Sequence, residues 1–167
     1  MRKMTQANVE SAFAGESQAH MKYLNFAERA EKEKLPNVAR LFLATAFAER
    51  VHASNHLRVL DGVAGTAANL GGAIAGETYE VEEMYPAFTA VAERQEERKA
   101  LRSMNWALEA EKAHAALYGA AKRLVEGGQD TAATEIWVCS TCGFTVEGTA
   151  PEVCPVCGAK REMYRKF

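Results

Sequence analysis

Aspartate is almost missing from this chain: of 22 acidic residues only Asp61 and Asp130 are Asp, and the rest are Glu. Glu favours helices and Asp does not, so the bias excludes a strand-rich fold for most of the length. Proline is sparse, with four in 167 residues, which leaves long stretches free of helix breakers. No run of 18 or more apolar residues occurs, so no membrane span is expected. The opening MRKMTQANVE has charge but no apolar stretch behind it, so an export signal is not expected and a soluble, cytoplasmic protein is. Excess charge of one sign is also lacking: the net charge is −2, with Lys and Arg scattered among Glu. Nucleic acid and anionic membranes are poor partners for such a surface. Cysteine is absent from the first 138 residues, and all four lie between positions 139 and 157.

What is present falls into two pieces. Residues 1–128 are rich in Ala, Glu, Leu and Met at helical spacing. Residues 129–134 are turn-prone, and 135–167 carry short strand-like runs broken by Gly, Pro and Cys. Four helices are predicted in the first piece. The first starts after Thr5 and ends near Lys34, and the second runs from Pro36 to Asp61 with Gly62 as its cap. The third follows Asn69 and is kinked by Pro86. The fourth ends near Gly127, after a turn at Gln95–Glu97.

The first piece also repeats itself. Ala14-Gly15-Glu16-Ser17 returns as Ala75-Gly76-Glu77-Thr78, an offset of 61, and Glu49-Arg50-Val51-His52 returns as Glu111-Lys112-Ala113-His114, an offset of 62. Two similar hairpins follow, neither able to bury its apolar stripe alone, and the expected fold is an all-α four-helix bundle.

Residues three apart on a helix share a face, so each Glu-x-x-His presents a carboxylate beside an imidazole. A single such pair in a Glu-rich helix is ordinary surface. Two pairs at matching points of a repeat, with Glu16 and Glu77 on the partner helices, form the donor set of ferritin-like di-iron or di-manganese bundles. Carboxylates bridge and neutralise two cations, and imidazoles fill terminal positions. Glu80 lies on the face of Glu77, while its counterpart in the first repeat is Ala19, which makes it a seventh candidate on one side. His20 and His56 lie near the same faces and suit hydrogen bonding or solvent better than ligation. Tyr23, Tyr85 and Tyr118 are within one or two turns and suit either hydrogen bonding to ligands or core packing.

Cys139-Ser-Thr-Cys142-Gly and Cys154-Pro-Val-Cys157-Gly are two knuckles whose four thiolates make a tetrahedral site for zinc or iron. So short a piece builds little core, from Trp137, Phe144, Tyr164 and Phe167, so the metal must hold it together. On the cysteines alone, zinc and iron both remain open.

Taken together, AFAGES, AERVH, AGETYEVEEMYP, AEKAH, WVCSTCG and CPVCG resemble the rubrerythrin family over essentially the whole chain. The resemblance implies a ferritin-like di-iron bundle followed by a small rubredoxin-like β domain with one iron in four thiolates, with zinc as the alternative metal. By the same resemblance Glu49 and Glu111 bridge two irons, and Glu16, Glu77 and His114 are terminal ligands. The second iron exchanges Glu80, when oxidised, for His52, when reduced. The implied activity is hydrogen peroxide reduction, with electrons from a rubredoxin or NAD(P)H-dependent reductase. Iron handling with oxygen, in the manner of ferritin, is the alternative. One feature departs from a simple bundle. In a ferritin-like bundle the second and third helices run parallel, which needs roughly 25 Å of travel before any sideways shift. Gly62 to Asn69 spans at most about 30 Å fully extended. A homodimer with swapped helical hairpins is therefore expected.

Overall fold

The computed structural model describes residues 1–167 and comprises two compact units, Met1–Ala64 and Gly65–Phe167. The first is a helical hairpin of α1 (Lys3–Lys32) and α2 (Pro36–Val59). The second holds α3 (Thr66–Tyr79), a π-helical stretch at Glu80–Met84, α4 (Tyr85–Arg94) and α5 (Arg98–Glu126). It ends in a small sheet of β1 (Ile136–Cys139), β2 (Thr145–Glu147) and β3 (Tyr164–Lys166). No helix is long and apolar enough to cross a membrane.

Alanine makes the hairpin seam. Ala39, Ala46 and Ala53 recur every seven residues along α2 and are buried with Ala27 and Ala30 of α1. Small side chains on the contact stripe let two helix axes approach closely. No side chain larger than alanine is fully buried in this unit, while Met21, Leu43 and Phe47 stay exposed. In the second unit Ala92 of α4 and Ala110 of α5 are buried in the same way, with Tyr79, Phe88 and Val91 exposed.

The helix ends follow one rule with an unforeseen choice of residue. Lys34, Asp61, Glu96 and Gly128 each take positive φ, of 60°, 55°, 57° and 73°. Each closes a paired hydrogen-bond cap, such as Glu96 N–H to Glu93 O and Glu97 N–H to Ala92 O. The expected cap Gly62 is thus displaced by Asp61, and Gly62 instead donates its N–H to Leu57 O. The third helix begins at Thr66 behind Gly65 rather than after Asn69, and α1 begins at Lys3, ahead of Thr5. The turn expected at Gln95–Glu97 is present without a glycine. Lys34 and Glu96 lie 62 positions apart, so the repeat extends to the turns themselves.

The expected kink at Pro86 takes the form of the π stretch. Pro86 has no N–H to give back, and the Tyr85 N–H reaches five residues back to Glu80 O. A π turn absorbs one extra residue. The repeat offset is 61 before this stretch, at Glu16 and Glu77, and 62 after it, at Glu49 and Glu111. The inserted residue therefore sits here.

In the sheet, β1 is central, pairing antiparallel with β2 (Trp137 opposite Val146) and β3 (Cys139 opposite Tyr164). Its core is Cys139, Ala150, Cys154 and Tyr164, with Trp137 and Phe144 packed against them.

A left-handed conformation costs a non-glycine residue about 1–2 kcal/mol. Glu96→Gly is expected to stabilise the chain by about 1 kcal/mol, which would raise the thermal midpoint by a few degrees. An unchanged or lower midpoint would show that the turn carries no strain.

Candidate metal centres

In the first unit, α1 presents Glu16 and α2 presents Glu49 and His52. His52 Nδ1 lies 3.0 Å from Glu49 Oε2 and 3.9 Å from Glu16 Oε1. Glu16 and Glu49 are hydrogen-bonded to each other, which raises Glu16 and lowers Glu49 relative to an ordinary carboxyl, His52 adding to the second shift. His20 donates from Nδ1 to the Ala46 carbonyl at 2.7 Å, tying α1 to α2 beside the cluster. Tyr23 packs its ring against Phe26 and Phe42, with centroids 6.2 and 6.1 Å away.

The second unit builds nearly the same arrangement. His114 Nδ1 lies 2.6 Å from Glu111 Oε2 and 3.9 Å from Glu77 Oε1. Burial, then the charge of Glu111, raises Glu77 above its ordinary value, and the same two causes raise Glu80. Burial followed by the negative charge of Glu80 raises Tyr85. The far side of the His114 ring is also engaged: Nε2 is 2.8 Å from Thr145 Oγ1, on β2. Sequence reading gave Thr145 no signal, because a threonine in a strand is ordinary.

In each unit the two carboxylates and the imidazole place their donor atoms within 4.8 Å of one another. These donors repel one another when ionised, and a cation among them is the chemistry that removes the repulsion. The fit is therefore good in both places.

The four cysteines converge as free thiols. Cys139 Sγ lies 3.7 Å from Cys157 Sγ, and Cys142 Sγ lies 3.6 Å from Cys154 Sγ. A disulfide would need about 2.05 Å. A tetrahedron with metal–sulfur bonds of about 2.3 Å has edges of about 3.8 Å, and the two separations match that. Gly143 and Gly158 close the knuckles at φ 82° and 76°, donating to the carbonyls of Cys139 and Cys154. Burial alone would raise the Cys154 thiol. The Tyr164 hydroxyl and the Cys157 and Val156 amides nearby outweigh it and bring the thiol down to about 6. The Tyr164 hydroxyl itself is buried without a hydrogen-bond partner. Burial raises Cys142 and Cys157, whose protons a bound cation would displace.

Helices that pair Glu with Glu-x-x-His, followed by a four-thiolate β module, define a ferritin-like metal-binding protein with a rubredoxin-like domain. Residues 7–122 match the family model for rubrerythrin, and residues 137–165 match that for the rubrerythrin rubredoxin-like domain. The chain is 39% identical to rubrerythrin-2 of Clostridium acetobutylicum, over 98% of this chain and 97% of that one. It is 35% identical to rubrerythrin of Nitratidesulfovibrio vulgaris, over 92% and 88%. Nigerythrin in its mixed-valence state is similar in structure, with a TM-score of 0.58 at 31% identity over 98% of this chain and 86% of that one. The chain belongs to the rubrerythrin family, whose members are di-iron redox proteins.

Glu77 and Glu80 hold protons more tightly when folded than at the ordinary value of 4.5. Without metal, their contribution to stability is greatest at or below that value and is lost as pH rises through the raised values. Cys154, lowered to about 6, contributes in the opposite sense, so the test compares variants. The metal-free Glu77→Gln, Glu80→Gln chain is expected to lose less stability with rising pH than the unaltered chain, because the Cys154 contribution is common to both. Metal needs ionised carboxylates, so loading should release protons. An identical pH dependence in the two chains would contradict the raised values.

Proposed function

We propose that this chain is a hydrogen peroxide reductase with a two-iron centre, drawing electrons through an iron held by Cys139, Cys142, Cys154 and Cys157. The observation that carries the reading is the seating of the thiolate module on α5, the helix of Glu111 and His114. A Cβ added at Gly143, which follows Cys142, would stand 4.0 Å from Ala110 Cβ, and Ala110 precedes Glu111. A protein that only stores or oxidises iron needs no such electron input. Peroxide takes up two electrons and two protons as its O–O bond breaks, giving two waters. Two ferrous ions in such a site would supply one electron each.

The residues proposed to hold them are Glu16, Glu49, His52, Glu77, Glu80, Glu111 and His114, with Glu49 and Glu111 bridging. Glu80 serves the oxidised state and His52 the reduced one. The position of Glu80 at the start of the π stretch supports a carboxylate that can move, because π turns loosen local helical geometry. The proposed division is a di-iron domain at 1–128, a linker at 129–134 and an electron-transfer domain at 135–167. A rubredoxin or an NAD(P)H-dependent reductase in the cytoplasm is the proposed donor.

Each cluster offers three donors, and His52 is half exposed, so a complete centre needs both clusters. Residues 60–65 alone connect α2 to α3, which is too short for the parallel course of a single-chain bundle. The proposed assembly is a homodimer in which α1–α2 of one copy packs on α3–α5 of the other.

Stopped-flow mixing of the reduced, iron-loaded protein is expected to show peroxide reoxidising it at least tenfold faster than oxygen. Glu80→Ala should slow the peroxide reaction by about tenfold or more, a loss of over 1.4 kcal/mol of transition-state stabilisation. Faster reaction with oxygen, indifferent to Glu80, would replace this reading with iron oxidation. Complementation tests the assembly. Glu49→Ala and Glu111→Ala copies, coexpressed with different tags and purified as the mixed dimer, should regain one intact centre and about half the activity. No recovery would mean that every centre is built within one chain.

A further inference from the structure

The contact between His114 and Thr145 fixes more than a position. Thr145 Oγ1 lies 3.0 Å from the Gly143 carbonyl and 2.8 Å from His114 Nε2. Its single proton serves one of them; given to the carbonyl, which can only accept, it leaves the oxygen to accept from an Nε2–H. On the other side of the ring Nδ1 stands 2.6 Å from Glu111 Oε2, a contact that needs a proton in it or a cation in that proton's place.

We propose that Thr145 is a positioning residue. Its hydroxyl, oriented by the Gly143 carbonyl, accepts from Nε2–H of His114 and keeps Nδ1 towards the carboxylates, where a bound cation would take the place of the Nδ1 proton. Ligating histidines commonly need such a partner on the other nitrogen, supplied by a carboxylate, a backbone carbonyl or water. Here it comes from β2, on a different fold module, and that gives it a second consequence. Gly143 follows Cys142 and donates its N–H to the Cys139 carbonyl within the knuckle. One hydroxyl thus joins the cysteine knuckle to the α5 cluster, and ordering of either one orders the other. Folding of the thiolate module around its metal should therefore pre-set the His114 ring before the second site is loaded.

The inference rests on His114 being a metal ligand, and the test separates the two ideas. The full-length chain is used with zinc in the cysteine site, and the carboxylate sites are titrated with Co²⁺ alone while visible absorption is followed. Thr145→Val keeps the shape and removes the hydroxyl, and Thr145→Ser keeps the hydroxyl. Thr145→Val should weaken Co²⁺ binding by about 10–100-fold, with Thr145→Ser within about threefold of the unaltered chain. In ¹⁵N-His-labelled protein with zinc in the cysteine site only, the Nε2 shift of His114 should be that of a protonated ring nitrogen. Thr145→Val should move Nε2 towards the shift of an unprotonated nitrogen, with the proton on Nδ1 against Glu111, which a merely structural role would not produce. Undiminished Co²⁺ affinity in Thr145→Val, beside a clear loss in His114→Ala, would overturn the role of Thr145 alone. Undiminished affinity in His114→Ala would overturn the ligand assignment beneath it.

Discussion

Carboxylates forced together without a proton or a cation among them repel, and this constraint governs the helical part of the molecule. Glu16 with Glu49, and Glu77 with Glu111, are held beside an imidazole nitrogen by helices that cannot let them part. Metal-free, the first pair answers with opposite shifts, Glu16 raised and Glu49 lowered by their mutual contact. The second answers by raised affinity for protons at Glu77 and Glu80. A cation removes the same repulsion without protonating anything. The donor arrangement is thus unfavourable as a bare structure and favourable as a binding site, as expected of residues kept for chemistry rather than for stability.

Holding such groups close depends on how near the helices come, and alanine sets that distance. The seam of Ala39, Ala46 and Ala53 against Ala27 and Ala30 allows Glu16 on α1 to reach Glu49 on α2. Alanine buries little apolar area, so a seam of this kind positions helices without strongly stabilising them. The large side chains that could stabilise them, Phe47 and Leu43 in one unit and Phe88 and Val91 in the other, are left outside. Position and stability are thereby separated: a hairpin fixes the geometry of its donor cluster and leaves large apolar side chains exposed.

Much of this was legible in the sequence because it rests on periodicity. The helices, the three-residue spacing of Glu and His, and the cysteine knuckles follow from local rules. The residues at the turns did not. Lys34, Asp61 and Glu96 take left-handed conformations that local preference assigns to glycine, because the short paths between helices leave no other closure. The π stretch was present in the sequence as a change of offset from 61 to 62, and a repeat comparison carried to single-residue accuracy locates it. Thr145 was not legible at all, since its partner is a helix residue 31 positions away.

That long-range bond alters how the two fold modules relate. A thiolate module joined to α5 only by residues 127–135 could sit anywhere the linker reaches. Packing of Gly143 at Ala110 and the bond from His114 to Thr145 give it one seat, on the helix that supplies two of the three donors in that cluster. Electron transfer weakens steeply with distance, so in the proposed function a fixed seat beside His114 would keep the path short as a tether cannot. The φ of 82° explains the glycine, since a Cβ there would meet Ala110 only at an ordinary 4.0 Å. One position thus serves the knuckle, the docking surface and the orientation of Thr145 together, so a change there would disturb all three at once.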